Sequence, residues 1–249
     1  MQPHQDPTAR LAAGTRFSRL SHVPACDSTQ DLAHEDSEPT SAIFWADHQS
    51  QGRGRQGHVW NDDAGKDLAV TCKITGLVLP NTALLAAAVP VAVLLAVEQA
   101  SGLGLSLKWP NDLMVSGRKL AGILIDSSGT APVHLVGIGI NVNRTGFPPE
   151  LRGFATSLAL LTGREYDRED LLVQVAVSLE EALVDLTLGR TDRLASVFRD
   201  RLGLLGKRVV LGCGGEERRG RLTAIDLAAA EIDGGASVPL AIVQKLGQQ

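Results

Sequence analysis

The apolar residues fall into two textures, and the change from one to the other marks out the elements. Ala42–Ala46 (AIFWA), Leu68–Lys73 and Leu105–Trp109 are short apolar runs bounded by polar or glycine-containing turns, which predicts strands. RKLAGILID, Arg118 to Asp126, and VHLVGIGINVN, Val133 to Asn143, are longer and nearly continuously apolar. They predict two neighbouring strands of a sheet covered on one face. The cover is ALLAAAVPVAVLLAV, Ala83 to Val97, a helix that Asn81 or Thr82 can cap at its start and Gly102 at its end. This run is shorter than the ~20 residues of a membrane span, and Pro90 interrupts it. Near the N-terminus a strand after Phe17 leads into DSTQDLA, where Ser28 or Thr29 starts a helix. Arg168–Leu188 carries apolar residues at helical spacing, and Arg190–Arg201 continues that style.

After Gly203 the texture changes again. VVLGCGG, RGRLTAID, AEIDGG and VPLAIVQKL are four short β-like pieces between glycine-rich turns, the pattern of a small barrel-like unit. The expected organisation is a flexible polar tail over 1–16, a catalytic or binding domain over 17–203 and a small β-barrel domain over 204–249.

Composition narrows the class without naming it. The chain of 249 residues is 44% hydrophobic and 21% charged, as for an ordinary globule. A net charge of −4 argues against broad nucleic-acid binding, so any basic site must be local. Cys26, Cys72 and Cys213 lie far apart with no CxxC, which excludes a zinc frame and reads as reduced thiols of a cytoplasmic protein. The opening MQPHQDPTARLAAG lacks the apolar core of a signal peptide, so no membrane partner is expected.

GRGRQG, Gly52 to Gly57, matches the glycine pattern of a dinucleotide-binding turn. The polar HVWNDDAGKDLAV that follows offers no helix N-terminus to hold a pyrophosphate, which disfavours that reading. It leaves a surface loop with two solvated arginines, or a ligand loop in which Arg53 and Arg55 present guanidinium forks to phosphate or carboxylate oxygens. Three more segments suggest a ligand site. KWPNDL, Lys108 to Leu113, joins an aromatic, a proline and polar groups at a strand end, although it is also good turn chemistry. GRKLAG places Lys119 where an apolar strand begins, and GIGIN leaves two positions free of side chains within a strand, so that a flat ligand can lie against backbone.

Together and in this order, DST (Asp27–Thr29), Gln49 ahead of GRGR, KWPNDL, GRKLAGIL and GIGINVN resemble the biotin–protein ligase family, from Phe17 to about Leu246. The resemblance implies an α+β fold: a mixed β-sheet catalytic domain of the class II synthetase-like, biotin–lipoate ligase type, covered by helices, with a small C-terminal SH3-like β-barrel. It implies a ligase that makes biotinyl-5′-AMP from biotin and ATP with Mg²⁺, then passes biotin to a lysine of a biotin carboxyl carrier protein. By the same resemblance Ser28, Thr29 and Gln49 hold the ureido ring of biotin, with Gln30 beside them in the biotin site. Gly122, Leu124, Gly137 and Gly139 shape the slot, and Arg53, Gly54 and Arg55 close over the adenylate. Lys119 is the catalytic lysine, touching both carboxylate and phosphate. Lys108, Trp109, Asn111, Asp112 and Asn141 lie near the nucleotide, with Asp112 a ligand for Mg²⁺. A homodimer formed by sheet extension is a further family-level expectation.

Three positions depart from the family pattern. The loop usually reads GRGRRGR-x-W, whereas Gln56 and His58 make it less basic here, and Gln30 replaces the usual Asn after DST. Only some 16 residues precede the catalytic segment, against the ~60 needed for a DNA-binding module, so the resemblance is to the short form, without DNA binding. The competing readings are a lipoyl or octanoyl transferase, whose Arg-Arg and Gly-Gly-Gly loop is absent, and a non-catalytic biotin sensor, which would not need Lys119.

Overall fold

The computed structural model describes residues 6–79, 81–128 and 132–249. Along the chain it contains α1 (Pro7–Gly14), β1 (Arg19–Val23), α2 (Thr29–Glu35), β2 (Ala42–Ala46), β3 (Leu68–Thr75), α3 (Leu85–Ser101), β4 (Ser106–Lys108) and β5 (Asp112–Val115). There follow β6 (Arg118–Ser128), β7 (Val133–Ile140), α4 (Leu158–Thr162), α5 (Arg168–Thr187) and α6 (Asp192–Leu202). The main sheet runs β1-β2-β3-β7-β6-β5-β4, with β1 and β2 parallel and the other pairs antiparallel, a mixed sheet as expected.

Alternation along the central strands separates the two faces. Ile43, Trp45, Val70, Cys72, Ile123, Val136, Ile138 and Ile140 point into the main core beneath α3 and α5. On the other face Ala42, Phe44 and Leu135 pack with Ala33 of α2. Burial pushes the Cys72 thiol up to about 12, and all three cysteines are free, as their spacing suggested.

The apolar run after Asn81 is the central core helix. Asn81 Oδ1 accepts from the Ala83 amide at 2.9 Å, a short 3₁₀ turn follows, and α3 ends at Gly102 in the left-handed region (φ 74°). Thr82–Ser101 is long and apolar enough to cross a membrane, but most of α3 is buried against α5, α6 and the sheet. The helix also continues through Pro90 rather than breaking there.

The N-terminal stretch expected to be a flexible tail is instead partly helical. Asp6 caps α1 by accepting from the Thr8 amide at 3.0 Å, Pro7 pre-sets the first turn, and fully buried Leu11 docks the helix on α5. Arg10–Asp170 (2.6 Å) and Arg16–Glu180 (2.7 Å) tie it down. One apolar side chain is too little for periodicity to reveal, although Asp-Pro is a recognisable helix start. Met1–Gln5 lie outside the described residues.

The C-terminal β texture forms its own antiparallel sheet: β8 (Arg208–Cys213), β9 (Glu216–Ile225), β10 (Ala229–Ile232), β11 (Val238–Pro239) and β12 (Val243–Gln248), ordered β11-β10-β9-β8-β12. The predicted piece VPLAIVQKL is two strands, divided by a 3₁₀ turn at Leu240–Ile242. Trp109 joins the two sheets, its indole Nε1 donating to the Val243 carbonyl at 2.9 Å.

Candidate active site

The glycines of GIGIN act through register. Across three strands Thr71 pairs with Gly137 and Gly137 with Leu124; one step along, Ala69 pairs with Gly139 and Gly139 with Gly122. Because β7 alternates, both of its glycines fall on the face away from the main core, where they clear the floor of a cleft of about 290 Å³. A Cβ at Gly137 would lie 2.8 Å from Gln30 Oε1, and one at Gly139 would lie 2.6 Å from Trp60 Cζ2. Side chains at these positions are therefore excluded by what already lies over them.

One end of the cleft is lined by neutral polar groups. Ser28 caps α2 and leaves Thr29 and Gln30 buried on its first turn. Gln49 Oε1 accepts from the Thr29 amide at 2.8 Å and lies 3.1 Å from Thr29 Oγ1; Thr29 Oγ1 lies 2.9 Å from Thr71 Oγ1. The opposite end is charged. Lys119 Nζ stands 2.6 Å from Asp112 Oδ1, an ion pair without hydrogen-bond alignment, since that buried oxygen receives no hydrogen bond. Nζ also lies 6.0 Å from the centroid of the Trp60 ring. The backbone of Lys119 is pinned to the loop after β7, its amide donating to the Phe154 carbonyl at 2.7 Å and its carbonyl accepting from the Thr156 amide at 2.9 Å.

The glycine–arginine stretch folds over this cleft as a hairpin-like loop. Trp60 N donates to the Gly52 carbonyl (2.9 Å), Gly54 N to the His58 carbonyl (2.7 Å), and Arg53 bridges to Val59. The turn between them takes Gln56 (φ 54°) and Gly57 (φ 78°) into the left-handed region, which Gly57 enters without strain. No helix follows, so the dinucleotide-turn geometry is not formed. Arg53 reaches back to Asp31 of α2 at 2.6 Å, whereas Arg55 has no ion-pair partner among the described residues and lines the cleft.

The structure brings together Ser28, Thr29, Gln30, Gln49, Arg53, Gly54, Arg55, Lys108, Trp109, Asn111, Asp112, Lys119, Gly122, Leu124, Gly137 and Gly139 around one cleft. Asn141 is the exception. It is buried beneath Lys119 with its Nδ2 donating to the Thr156 carbonyl at 3.0 Å, and it is not among the lining residues. Asn111 lines the cleft with its amide already committed to the Ile123 carbonyl (3.0 Å), and Trp109 with its indole nitrogen turned to the C-terminal sheet. Sequence reasoning missed Trp60, Thr71 and Gln244. The first two could have been found, Trp60 from its place at the end of the loop pattern and Thr71 as a hydroxyl in an apolar strand. Gln244 enters from the C-terminal sheet, and no local signal announces it.

The C-terminal foot of the loop is held by a buried ion pair. Arg144 Nε meets Asp67 Oδ2 at 2.5 Å, Arg144 also donates to the Asn61 carbonyl, and Asp67 accepts from the Asp63 and Val142 amides at 2.8 and 3.2 Å. Burial is the largest influence on Asp67 and raises its carboxyl, opposed by Arg144 and the amides. Arg144→Ala leaves that carboxyl buried without its cation, and is expected to destabilise the fold by about 3 kcal/mol, lowering Tm by roughly 10 °C. A thermal melt within a degree or two of wild type would show that the pair does not hold the foot.

Comparison with known proteins adds an independent line. The profile of the biotin/lipoate A/B protein ligase family matches residues 23–143. The chain is 32% identical over 221 residues to a biotin–[acetyl-CoA-carboxylase] ligase of Paracoccus denitrificans, covering 83% of this chain and 90% of that protein. It is 34% identical over 175 residues to the bifunctional ligase/repressor BirA of Bacillus spizizenii, covering 67% of this chain, and spans only about half (54%) of that relative's length. The fold is similar to that of the biotin protein ligase from Aquifex aeolicus solved in complex with biotin and ATP, with a TM-score of 0.81 and 27% identity, covering 94% of this chain and all (100%) of that one.

Proposed function

The chain belongs to the biotin/lipoate A/B protein ligase family, and from that premise we propose that it joins biotin to ATP as biotinyl-5′-AMP and transfers the biotinyl group to one lysine of a biotin carboxyl carrier domain. The observation that carries this reading is the polarity of the cleft. Its neutral hydrogen-bonding end suits a ureido ring, its glycine floor suits a flat bicyclic body, and Lys119 lies at the end where a carboxylate must meet a phosphate.

In the first step a biotin carboxylate oxygen bonds to the α-phosphorus as the bond to the bridging oxygen breaks and pyrophosphate leaves. Lys119 acts as a point charge, drawing two anions together and stabilising the charge that shifts onto the phosphoryl oxygens. Arg55 closes the loop over the mixed anhydride and keeps water from it. In the second step the carrier amine attacks the acyl carbon, AMP departs, and the amine loses its proton to solvent. No group of three or more metal-ligating side chains exists among the described residues, so a resident metal centre does not fit. A Mg²⁺ borne by the nucleotide needs only one or two carboxylates, and the buried Asp112 Oδ1, which receives no hydrogen bond, fits that part. Such an ion would neutralise phosphate charge. With three free cysteines, we assign the enzyme to the cytoplasm.

Mass spectrometry of a carrier domain incubated with the protein, ATP and either biotin or lipoate tests the reading. One biotinyl increment at a single lysine, dependent on ATP, is expected. A lipoyl increment in its place would transfer the same site to the lipoate branch, and no increment with either acid would overturn the assignment.

A further inference from the structure

Behind the neutral end of the cleft stands a carboxylate that does not touch it. Asp126, near the end of β6, lines a neighbouring groove between α2 and the sheet, and Gln30 separates the two spaces. Gln30 reaches past Gly137, where a Cβ would strike it, and its Nε2 meets Asp126 Oδ2 at 2.9 Å and the Leu135 carbonyl at 3.5 Å. Both of these are acceptors, so the terminal atom between them must be the amide nitrogen. The amide oxygen is then obliged to face Thr71 Oγ1, at 3.0 Å.

The remaining hydrogens follow by elimination. An amide oxygen cannot donate, so the Thr71 hydroxyl hydrogen points at Gln30. Thr71 and Thr29 hold their hydroxyl oxygens 2.9 Å apart and need a hydrogen between them, and only that of Thr29 remains. Turned toward Thr71, the Thr29 hydroxyl leaves a lone pair for the cleft, and Gln49 Oε1 at 3.1 Å receives at most a share of its hydrogen. Gln49 Oε1 is held by the Thr29 amide instead (2.8 Å), which leaves Gln49 Nε2 as a donor with no acceptor among the described residues. The end of the cleft therefore displays one acceptor and one donor, the complement of a cyclic urea N–H and C=O.

Resting on the ligase reading above, we propose that Asp126 is a positioning residue which, through Gln30, Thr71 and Thr29, sets the donor–acceptor polarity that selects the ureido ring. Without an acceptor at 126 only the Leu135 carbonyl, at 3.5 Å, still holds the nitrogen in place, and the Gln30 amide can turn that nitrogen to Thr71. The two threonine hydrogens then reverse: Thr29 accepts from Thr71, and its own hydrogen turns toward Gln49 Oε1 at the cleft, so that the lone pair facing the ring N–H is displaced.

Calorimetric titration of wild type, Asp126→Ala and Asp126→Asn with biotin and with iminobiotin, which replaces the carbonyl by an N–H-bearing group, tests this. Asp126→Ala is expected to weaken biotin and iminobiotin binding each about tenfold and to leave the preference between them unchanged, because both ligands present a ring N–H to Thr29 and differ only at the carbonyl position. The KM for biotin rises in parallel, while the KM for ATP and kcat at saturating biotin stay at wild-type values. Asp126→Asn retains an acceptor oxygen and is expected to stay within about twofold of wild type. Gln30→Met breaks the relay at the next link and, since Gln30 itself lines the cleft, should weaken biotin binding at least as much as Asp126→Ala. Unchanged affinity for biotin in both Asp126→Ala and Gln30→Met would overturn the relay, as would an Asp126→Asn variant as impaired as Asp126→Ala, because charge rather than polarity would then be responsible. Wild type that binds neither ligand would sink the ligase reading of the cleft and this inference with it, a result distinguishable from wild-type binding that the variants leave untouched.

Discussion

Lys119→Ala is expected to stop adenylate formation while leaving biotin binding largely in place. The two effects separate because the cleft separates them: on the proposed reading the ureido contacts belong to Thr29 and Gln49, whereas Lys119 stands at the other end beside Asp112 and Gly122. Removing a cation aimed at a developing phosphoryl charge typically costs ~10²–10³ in rate. The measurement is biotin-dependent ATP–pyrophosphate exchange alongside a biotin titration. Exchange at a near-normal rate would remove Lys119 from the chemistry, and a total loss of biotin binding would mean that Lys119 serves the ground state instead.

Arg55→Gly is expected to uncouple making the adenylate from keeping it. Of the two loop arginines, Arg53 is engaged by Asp31, so the side chain left to close on an anion at the cleft is that of Arg55. Glycine removes a bidentate charge and adds backbone freedom next to a turn that already contains left-handed residues. The variant should still form biotinyl-AMP but release it into solution, where the mixed anhydride acylates exposed lysines of bystander proteins such as albumin. Free adenylate and bystander labelling, compared with wild type at saturating biotin and ATP, provide the readout. A variant that retains the adenylate as wild type does would rule out Arg55 as the clamp.

The sequence was most legible where one local rule decides the outcome. The strands β6 and β7, the cap at Asn81, the stop at Gly102 and the change of texture after Gly203 each follow from periodicity or from a single capping residue. It was least legible where partners are distant. Helix α1 depends on one leucine meeting α5, and it has too few apolar residues of its own to stand out. At the candidate site the motif residues were visible as chemistry, but their partners were not. The ion pair of Arg53 with Asp31 and the hydrogen bond of Asn141 to the Thr156 carbonyl have no local signal.

By itself, then, the sequence determined what depends on residue type and near neighbours: the covered sheet with its core helix, the separate β-rich C-terminus, and the set of segments from which a biotin ligase would draw its site. The tertiary structure decided what depends on register and approach. Period-two alternation turns both β7 glycines to one face, and strand pairing then places Thr71, Gly137 and Leu124 in one row. Gln30 and Asp126 are 96 positions apart in the chain, and a hydrogen bond between them is specified by no local pattern, because it requires three elements to pack at one distance. Hydrogen-bond polarity is a property of such assembled networks, since each hydroxyl takes its direction from the neighbour that has none to give.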